Sequence, residues 1–484
     1  MFEWVTEQWS ALRDQYTAAV NATGSSDIPQ FPVHHHTKNE YVVFPSSAFD
    51  EIKKLNASRA SMIDWFTQIF WQGWHFLGTD NSARYHMVSI DLTRALPSRV
   101  WMRQDNARQA FETVLDPAGV KHNLNWTTLS LWGTVQKIIS LMNATALLGP
   151  ELGLDPRWLK ATQRLHNAIM VGIVGSHLTP RLLRPLVAPI VFLPARLVDW
   201  HMSSLLRPML QKEMKHHQEK GRSQDELKNT AADPDSALHP EPSKAKFPLT
   251  SWLLDRYRPG DKNLTHLVRD HIVVAFEAAT TSAAMLYFLL AELAVRPDLV
   301  QELREELSQN IDAEGHLPLG YLAELRKMDS FMLESARVTG SSHLALFRRV
   351  QKPLKLSLGP ELAPGTLICV DAYHLLKSQT RYDDASKLKP MRFYEMRQQP
   401  NQEDMHQFTQ PGHDNTIWGG GTQACPGRQF GSMTIKVALA HFLLNYDVQL
   451  LPNGKSAPKR NSMPNGSVSP DTKAKIMVRE LQCA

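Results

Sequence analysis

The residues most able to do chemistry surround Cys425, in the stretch Trp418-Gly-Gly-Gly-Thr-Gln-Ala-Cys-Pro-Gly-Arg-Gln-Phe-Gly431. Glycines at 419–421 and 427 carry no side chain, so the backbone can approach a flat ligand there. An amphipathic stretch that predicts a helix follows the cysteine and runs to about Leu444. The start of a helix stabilises a thiolate through its dipole and its unpaired amide hydrogens. The pattern therefore indicates a thiolate that lies beside a planar group.

Two other kinds of glycine-loop site are excluded. Gly419-x-Gly421-x-x-Ala424 has the spacing of a dinucleotide fingerprint, but no apolar strand precedes it and Pro426 interrupts the chain directly after it. A phosphate loop needs Lys-Ser/Thr after its last glycine, whereas Arg428-Gln429 stands there in this chain. A buried structural cysteine near a turn stays the alternative.

The same stretch resembles the haem-binding signature of cytochromes P-450, which reads aromatic-x-x-Gly-x-Arg/His-x-Cys-x-Gly. Trp418, Gly421, Cys425 and Gly427 fall in register with it. The resemblance implies that Cys425 is the thiolate ligand of a haem b iron and that the other three residues belong to the haem-binding loop. Gln423 stands where the family places a cation against a haem propionate, so this contact is expected to be neutral and weaker.

Two further motifs of the family occur in the expected order. Glu334-Ser-Ala-Arg337 resembles Glu-x-x-Arg, and Pro390-Met-Arg392-Phe393 resembles Pro-x-Arg-Phe. The resemblance implies a buried triad of Glu334, Arg337 and Arg392 that braces the cysteine loop and does no chemistry. Taken alone, a Glu and an Arg three residues apart on a helix are a common surface feature.

The resemblance also implies two side chains that contact haem propionates. Arg349 directly precedes Val350, at the position from which the family reaches a propionate. His86 lies in a stretch from Tyr85 to Arg94 that resembles the C helix of fungal secondary-metabolism members of the family. A solvated arginine and a packed or solvated histidine stay the alternatives.

The helix expected over Asp270–Leu290 resembles the oxygen-handling helix of the family, and Thr280-Thr281 resembles its threonine pair. The family pattern has an acid before the threonine and a small residue three before it. Here Ala279 takes the place of the acid and Glu277 the place of the small residue. Glu277 lies one turn earlier on nearly the same face, so it is expected to deliver the proton instead. A capping or packing role for Glu277 stays open.

The elements that must position these residues are mostly helical, and they predict a mainly α fold with a small β portion. With the resemblance, residues 1–484 are expected to form a single domain with the cytochrome P-450 fold. The patterns predict helices over 1–22 and from 249 to beyond 310, a strand at Tyr41–Phe44, and a hairpin of Leu354–Leu358 with Thr366–Val370.

Two stretches between these elements have unusual compositions. Leu182–Val198 is apolar but contains Pro185, Pro189 and Pro194, which break any membrane-spanning helix. A buried connection is expected there, with a patch that dips into a membrane surface as the alternative. Residues 215–248 are polar and become rich in proline, and an exposed loop is expected.

Composition excludes several classes of protein. The net charge of +5, from 53 basic and 48 acidic residues, lacks the dense basic stripe of a nucleic-acid-binding protein. Cys369, Cys425 and Cys483 have no regular spacing, which argues against a disulfide framework or structural zinc and favours an intracellular, reducing environment. Four charges interrupt residues 1–22, so neither a signal peptide nor a transmembrane anchor is expected there.

The resemblance implies a monooxygenase that hydroxylates or epoxidises a hydrophobic small molecule with molecular oxygen. A terpenoid, polyketide or alkaloid intermediate of fungal secondary metabolism is the expected substrate. No flavin or nicotinamide pattern occurs, so electrons are expected from a separate NADPH-cytochrome P-450 reductase, docked on a basic surface around Arg428. Association with the endoplasmic reticulum is implied by the resemblance alone.

Ala279 motivates an alternative function, a haem-thiolate isomerase or dehydratase that needs no reductase. A haem-binding protein without catalysis is a third. Aromatic side chains suggest an apolar, bulky ligand, although aromatics at helical spacing belong more often to a core. These candidates are Phe66, Phe70, Trp71, Trp74 and Phe276.

Overall fold

The computed structural model of the protein describes residues 31–34, 40–69, 81–120, 125–179, 183–227, 246–312, 316–318, 321–339, 342–452, 454, 457–458, 460–462 and 468–481. The helix expected over 1–22 lies outside the described residues, as do Phe70, Trp71, Trp74 and Cys483. The architecture is mainly α with a small β portion, as the sequence predicts.

The helices in the described part of the chain are α1 Phe49–Lys53, α2 Met62–Ile69, α3 Ser82–His86, α4 Thr93–Ala95, α5 Val100–Leu115, α6 Leu131–Leu148, α7 Pro150–Gly153, α8 Pro156–Leu178, α9 Arg184–Val191, α10 Leu193–Leu227, α11 Leu249–Arg256, α12 Leu264–Leu293, α13 Pro297–Ser308, α14 Tyr321–Glu324, α15 Arg326–Thr339, α16 Ala372–Leu376, α17 Arg392–Met396 and α18 Arg428–Asn445. A π-helical segment, Met87–Leu92, joins α3 to α4.

The strands are β1 Phe31–His34, β2 Glu40–Phe44, β3 Ala60–Ser61, β4 Thr127–Ser130, β5 Leu344–Val350, β6 Leu367–Asp371, β7 Tyr446–Gln449, β8 Arg460–Ser462, β9 Val468–Pro470 and β10 Lys475–Glu480. They form sheets of order β1-β2-β6-β5-β3, β4-β10-β7 and β8-β9. In the first sheet β2 runs parallel to β6, and the other neighbours are antiparallel.

The central element is α12, which packs against α6, α10 and α18. Asn263 caps its start, because the side-chain oxygen accepts a hydrogen bond from the His266 amide. Of the described helices, α12 alone is long and apolar enough to cross a membrane, but 72% of its most apolar window is buried inside the protein. It is therefore a core helix, and it carries Glu277, Thr280 and Thr281 into the interior.

The hairpin differs from the one that the sequence predicts. Its first strand is β5, Leu344–Val350, and the expected run Leu354–Leu358 contributes only an isolated bridge from Leu354 to Leu362. Alternation of apolar and polar residues marks a strand that is half-buried, whereas most of β5 is buried on both faces. A register shift between Ala345 and Arg348 interrupts its pairing with β6.

The prediction of an exposed loop at 215–248 is wrong for the first part of this range, because α10 continues to Leu227. The sequence there is polar but consists largely of good helix formers, and polarity predicts exposure rather than the absence of a helix. Residues 228–245 lie outside the described residues.

The buried connection expected at 182–198 is also wrong. The chain forms α9 and the start of α10, in which Pro185 and Pro194 occupy first-turn positions that tolerate proline. Five apolar side chains on these helices are 51–72% exposed and form what we call the apolar stripe: Leu186, Ile190, Leu193, Leu197 and Trp200. The alternative, an apolar patch at the surface, is the one that the structure contains.

Candidate active site

The cysteine loop, Trp418–Gly427, is held between α1 and the start of α18. The Cys425 amide donates to the Trp418 carbonyl oxygen at 2.7 Å, which closes the loop. Gly421 has a φ of 63°, and a Cβ there would lie 2.1 Å from the Lys53 carbonyl oxygen. The Trp418 indole donates to the Phe408 carbonyl oxygen at 2.6 Å. Position 421 therefore requires glycine both for its backbone conformation and for the close approach of α1.

The sequence leads us to expect a neutral contact between Gln423 and a haem propionate, but the side chain of Gln423 bonds to the protein backbone instead. Its amide nitrogen donates to the carbonyl oxygens of Leu55 and Ala60 at 3.0 and 2.9 Å. Its amide oxygen accepts from the Met62 amide at 2.8 Å. These bonds fasten the cysteine loop to the segment between α1 and α2, so Gln423 positions the loop.

The Cys425 sulfur lies in an environment that disfavours a free thiolate. Burial raises the pKa of Cys425 to about 11, and the Glu277 carboxylate acts in the same direction. The Gly427 amide and the Arg428 guanidinium lower it. Arg428 also donates to the Cys425 carbonyl oxygen at 3.1 Å. A buried thiol of this kind becomes a thiolate when a metal ion binds the sulfur, which is the chemistry that an iron ligand requires.

Glu277 and Thr281 expose surface in the middle of the buried helix α12, while Phe276, Ala279 and Ser282 around them are buried. Residues four apart lie on one face of a helix, so this surface faces a cavity inside the protein. Protein nevertheless surrounds Glu277, and burial raises the pKa of its carboxyl group. The helix that carries Glu277, α12, packs against α18, which begins just after Cys425, and the Glu277 carboxylate raises the pKa of the Cys425 thiol.

The two threonines differ in their hydrogen bonds. The Thr281 hydroxyl donates to the Glu277 carbonyl oxygen at 3.2 Å, a bond within the helix. Among the described residues the Thr280 hydroxyl has no protein partner. It lies three residues from Glu277 and is partly accessible, so Thr280 is the threonine free to bind water or a ligand in the cavity.

A buried cation that the sequence reasoning missed lies on β5. Arg348 is 1% exposed, and its Nη1 donates to the Phe347 carbonyl oxygen at 2.8 Å. Its Nε and Nη2 have no partner among the described residues, and burial lowers its pKa to about 10. Leu346, two residues earlier, would contact a Cβ at Gly420 of the cysteine loop. A buried guanidinium with unpaired nitrogens is unfavourable unless an anion compensates it, so Arg348 fits a haem propionate.

Arg349, the arginine chosen from the sequence, is partly exposed, and its Nη2 would lie 3.8 Å from a Cβ at Gly365. Because side chains alternate along a strand, adjacent arginines face opposite sides of the sheet. The register shift between Ala345 and Arg348 decides which of them is buried, and only a homologous strand of known register would have revealed it.

His86 is exposed at the end of α3, beside the cysteine loop. The neighbouring Tyr85 hydroxyl donates to the Thr422 carbonyl oxygen at 3.4 Å, and Val88 contacts the position of Gly427. The π-helical segment therefore lies against the loop, as π-helical turns often do at functional sites.

The structure brings the three expected triad residues together. Both Glu334 carboxylate oxygens accept from Arg337, at 2.7 and 2.8 Å, and one also accepts from Arg392 at 3.1 Å. All three side chains are buried. Arg337 also donates to the carbonyl oxygens of Leu376 and Ala385. The triad thereby ties α15 to the chain that leads to the cysteine loop.

The aromatic candidates are not collected in one pocket. Phe276 is buried beside the ring of His166, with ring centroids 6.0 Å apart. Phe66 packs on the edge of the main core and against Trp65. Both therefore contribute to packing, and the other three aromatics lie outside the described residues.

Comparisons with known proteins agree with this geometry. The sequence model of the family described as Cytochrome P-450 matches residues 192–478. The cytochrome P-450 monooxygenase CYP1 of Pyricularia oryzae is 38% identical over 440 residues, which cover 91% of this chain and 77% of that protein. The pyrichalasin C-18 hydroxylase of Pyricularia grisea is 36% identical over 442 residues, which cover 91% and 79%.

Among solved structures, retinoic acid bound cyanobacterial CYP120A1 matches with a TM-score of 0.63 and 16% identity, over 92% of this chain and 90% of that one. At that identity the match shows a shared fold only.

Proposed function

Because this chain belongs to the cytochrome P-450 family, whose members are haem-dependent, oxygen-incorporating oxidoreductases, we propose that it hydroxylates or epoxidises a hydrophobic intermediate of fungal secondary metabolism. A terpenoid, polyketide or alkaloid is the substrate class that we propose. One relative is named a pyrichalasin C-18 hydroxylase, and this name favours hydroxylation of a C–H bond. The observation that carries the proposal is the position of Cys425 in a closed, glycine-rich loop at the start of α18, which packs against α12, the helix that carries Glu277 and Thr280.

The residues of the cysteine loop and of β5 fit a haem. Cys425 would bind the iron, and Gly421 and Gly427 would leave room for the ring. Arg348 would pair with a propionate, in the role that the sequence gives to Arg349, with His86 as a further propionate contact and Trp418 supporting the loop from behind. When bound, the haem supplies the oxidising chemistry, and a thiolate ligand favours cleavage of the O–O bond.

Glu277 and Thr280 handle protons in this proposal. Burial keeps the Glu277 carboxyl protonated to a higher pH than that of an exposed glutamate, so it can act as a general acid. The Thr280 hydroxyl has no protein partner among the described residues and can pass a proton through water. Thr281 supports the helix through its bond to the Glu277 carbonyl oxygen. Glu277 thereby replaces the acid that is missing at Ala279.

The test uses purified protein, an NADPH-cytochrome P-450 reductase and isotopically labelled dioxygen, with a panel of apolar terpenoids, polyketides and alkaloids. We expect a product that contains one labelled oxygen atom and forms only with NADPH. Cys425→Ser is expected to lose both turnover and the red-shifted Soret band of the reduced carbon monoxide complex. Product formation without NADPH or oxygen would instead establish the isomerase or dehydratase.

The reductase is proposed to dock near Arg428. This side chain is half-buried and bonded to the Cys425 carbonyl oxygen, so a change at 428 also alters the surroundings of the sulfur. Arg428→Glu is therefore compared with Arg428→Gln, which removes the charge without reversing it. A reductase Michaelis constant that rises more for glutamate than for glutamine supports docking, whereas equal values contradict it.

The apolar stripe is proposed to contact a membrane surface peripherally, which would account for an association with the endoplasmic reticulum. Its members are more than half exposed and lie at spacings of three and four residues along the chain. Leu186→Ser combined with Ile190→Ser and Trp200→Ser is expected to reduce co-sedimentation with phospholipid vesicles. Trp101→Ser, at an exposed tryptophan away from the stripe, is the control.

A further inference from the structure

A basic cavity of about 340 Å³ lies where the start of α3, the connection from α11 to α12 and the first turns of α12 meet. This volume falls in the range of roughly 300–1,000 Å³ that small organic ligands occupy. The charged side chains that line it, histidine apart, are four arginines and two carboxylates: Arg84, Arg256, Arg258, Arg269, Asp261 and Asp270. The excess of arginine makes an anion the ligand to expect.

Two of these arginines are already neutralised by carboxylates. Arg84 donates to Asp270 at 2.8 Å, and Asp270 is only 1% exposed. Arg256 donates twice to Asp91 in the π-helical segment, once at 2.8 Å. These two ion pairs hold α3 to α12 and α11 to the π-helical segment. They build the wall of the cavity and need no ligand.

The other two arginines are not neutralised in this way. Arg258 and Arg269 are exposed, and neither makes a hydrogen bond or an ion pair with another residue in the part of the chain that the structure describes. Arg269 does act electrostatically on Asp199 of α10, but the two side chains are not in contact. Arg258 precedes the α11–α12 connection and Arg269 lies on α12, so two separate elements present a guanidinium to one cavity.

His266 adds a third donor to the cavity. It lies three residues before Arg269 on α12, and therefore on the same face of the helix. Its Nδ1 is 3.1 Å from the Asn263 amide nitrogen and 3.2 Å from the Asp261 carbonyl oxygen. Its Nε2 has no partner among the described residues. When His266 is protonated, three cations not held by an ion pair within the wall face the single carboxylate of Asp261, an excess of two positive charges.

The number and charge of these donors match a phosphomonoester. Such a group carries a charge of about −1.5 to −2 at pH 7 and has three terminal oxygens. A guanidinium binds a phosphate through two parallel hydrogen bonds, so two arginines and one imidazole use all three oxygens. A phosphodiester or a carboxylate has one negative charge and two free oxygens, and it leaves one of the donors without an acceptor.

We propose that this cavity is a binding site for a phosphomonoester, held by Arg258, Arg269 and His266. The site is separate from the cysteine loop and does not depend on the proposed monooxygenase function. Two kinds of molecule carry the group: a soluble phosphorylated metabolite, and a lipid with a phosphomonoester head group. Both offer the same chemistry to the three donors, and the experiment distinguishes them.

The first experiment is calorimetric titration of the haem-loaded protein with glycerol 3-phosphate at fixed ionic strength. We expect one bound ligand per chain, and much weaker binding of dimethyl phosphate, a diester. Arg258→Gln and Arg269→Gln each remove one charged donor at the surface, so each is expected to weaken binding by about tenfold or more. Arg164→Gln makes the same change at an exposed arginine of α8 and is expected to bind like the parent.

A second set of variants tests the cavity without changing any donor. Ser82 is exposed on the cavity wall and is the first residue of α3, where an acidic side chain is well tolerated. Ser82→Glu adds a negative charge to the wall, and we expect it to weaken the binding of glycerol 3-phosphate. Ser82→Gln has nearly the same size without the charge, and it is expected to bind more tightly than Ser82→Glu. Equal binding by the two variants would place the anion outside this cavity and overturn the site.

The third experiment identifies the source of the phosphate. Co-sedimentation is measured with phosphatidylcholine vesicles that contain either phosphatidic acid, a phosphomonoester, or phosphatidylglycerol, a diester. The apolar stripe contributes equally to both, so only the difference between the two vesicles counts. A difference that is lost in Arg258→Gln, without binding of glycerol 3-phosphate, supports the lipid as the source. Binding of glycerol 3-phosphate that is lost in the same variant supports the soluble metabolite.

The remaining outcomes overturn the proposal. Dimethyl phosphate that binds as tightly as glycerol 3-phosphate would mean that the cavity does not select a phosphomonoester. Absence of binding to both glycerol 3-phosphate and phosphatidic acid would mean that the cavity is no anion site. An equal loss in Arg164→Gln and Arg269→Gln would mean that the ligand responds to the net charge of the protein alone.

Discussion

Thr280 and Thr281 are adjacent, yet only one hydroxyl is free for chemistry. Thr280→Ala removes a hydroxyl that has no protein partner among the described residues, so we expect product formation to fall by at least about tenfold. Thr281→Ala removes a bond within α12, and we expect near-parental turnover with a loss of about 1 kcal/mol in the free energy of unfolding. Product per NADPH and urea unfolding measure the two effects. Equal losses of product in both variants would contradict this assignment.

Replacing Arg348 is expected to stabilise the haem-free protein but to weaken the binding of haem in the haem-loaded protein. Removal of an unpaired buried charge stabilises a protein, so Arg348→Met is expected to make the haem-free protein more stable. The same change removes a charged partner of the haem, and we expect haem to transfer to apomyoglobin about 10 to 100 times faster.

Arg349→Met is the matched control, since that side chain is partly exposed on the other face of the strand. Faster haem loss in Arg349→Met than in Arg348→Met would mean that Arg349, the arginine that the sequence indicates, is the main propionate contact.

At the scale of elements, the triad of Glu334, Arg337 and Arg392 joins α15 to α17, and we expect it to stabilise the fold without taking part in the reaction. Glu334→Gln leaves two buried arginines without their carboxylate, so we expect a loss of about 3–5 kcal/mol in the free energy of unfolding. Lys387→Ala breaks an exposed ion pair with Asp384 and is expected to change stability by less than about 1 kcal/mol. Urea unfolding of the haem-loaded protein measures both. A stable Glu334→Gln protein would mean that the triad does not brace the loop.

The sequence predicts those elements whose signals are local. Cys425 precedes α18, and Glu334 and Arg337 share one helix, because each motif fits within one or two turns. Prediction from the sequence fails where a residue distant along the chain determines the burial or the hydrogen bonds of a side chain. Arg348 is buried because of a bulge against β6, and Gln423 bonds to residues near 55–62. The prediction of a buried connection at the apolar stripe is wrong for another reason: an apolar composition favours burial but does not show whether another part of the protein covers the side chains.

At the scale of the whole molecule, His441 links stability to pH. It is packed between Phe111 and Tyr446, and burial, aided by Arg108, lowers its pKa to about 4. The unfolded chain, with a histidine pKa of about 6.5, binds the proton more tightly. The stability that the protein gains from keeping His441 neutral is therefore fully present above about pH 6.5 and is lost as the pH falls towards 4.

His441→Phe keeps an aromatic ring but cannot bind a proton. Between pH 7 and 5 we expect the parent to lose on the order of 2 kcal/mol more stability than this variant. His216→Gln, at an exposed histidine, is expected to behave like the parent. Urea unfolding at the two pH values measures the difference, and identical losses in all three proteins would exclude His441 as the cause.

The bonds of Gln423 also constrain how the protein is made in the cell. They join residue 423 to positions 361 to 368 residues earlier in the chain. During synthesis the segment around α1 and α2 leaves the ribosome long before Gln423 is made, so it must wait for more than 360 further residues before these bonds can form. The loop that holds Cys425 can therefore be fastened to this segment only after residue 423 has left the ribosome, so the haem site forms late in the synthesis of these residues.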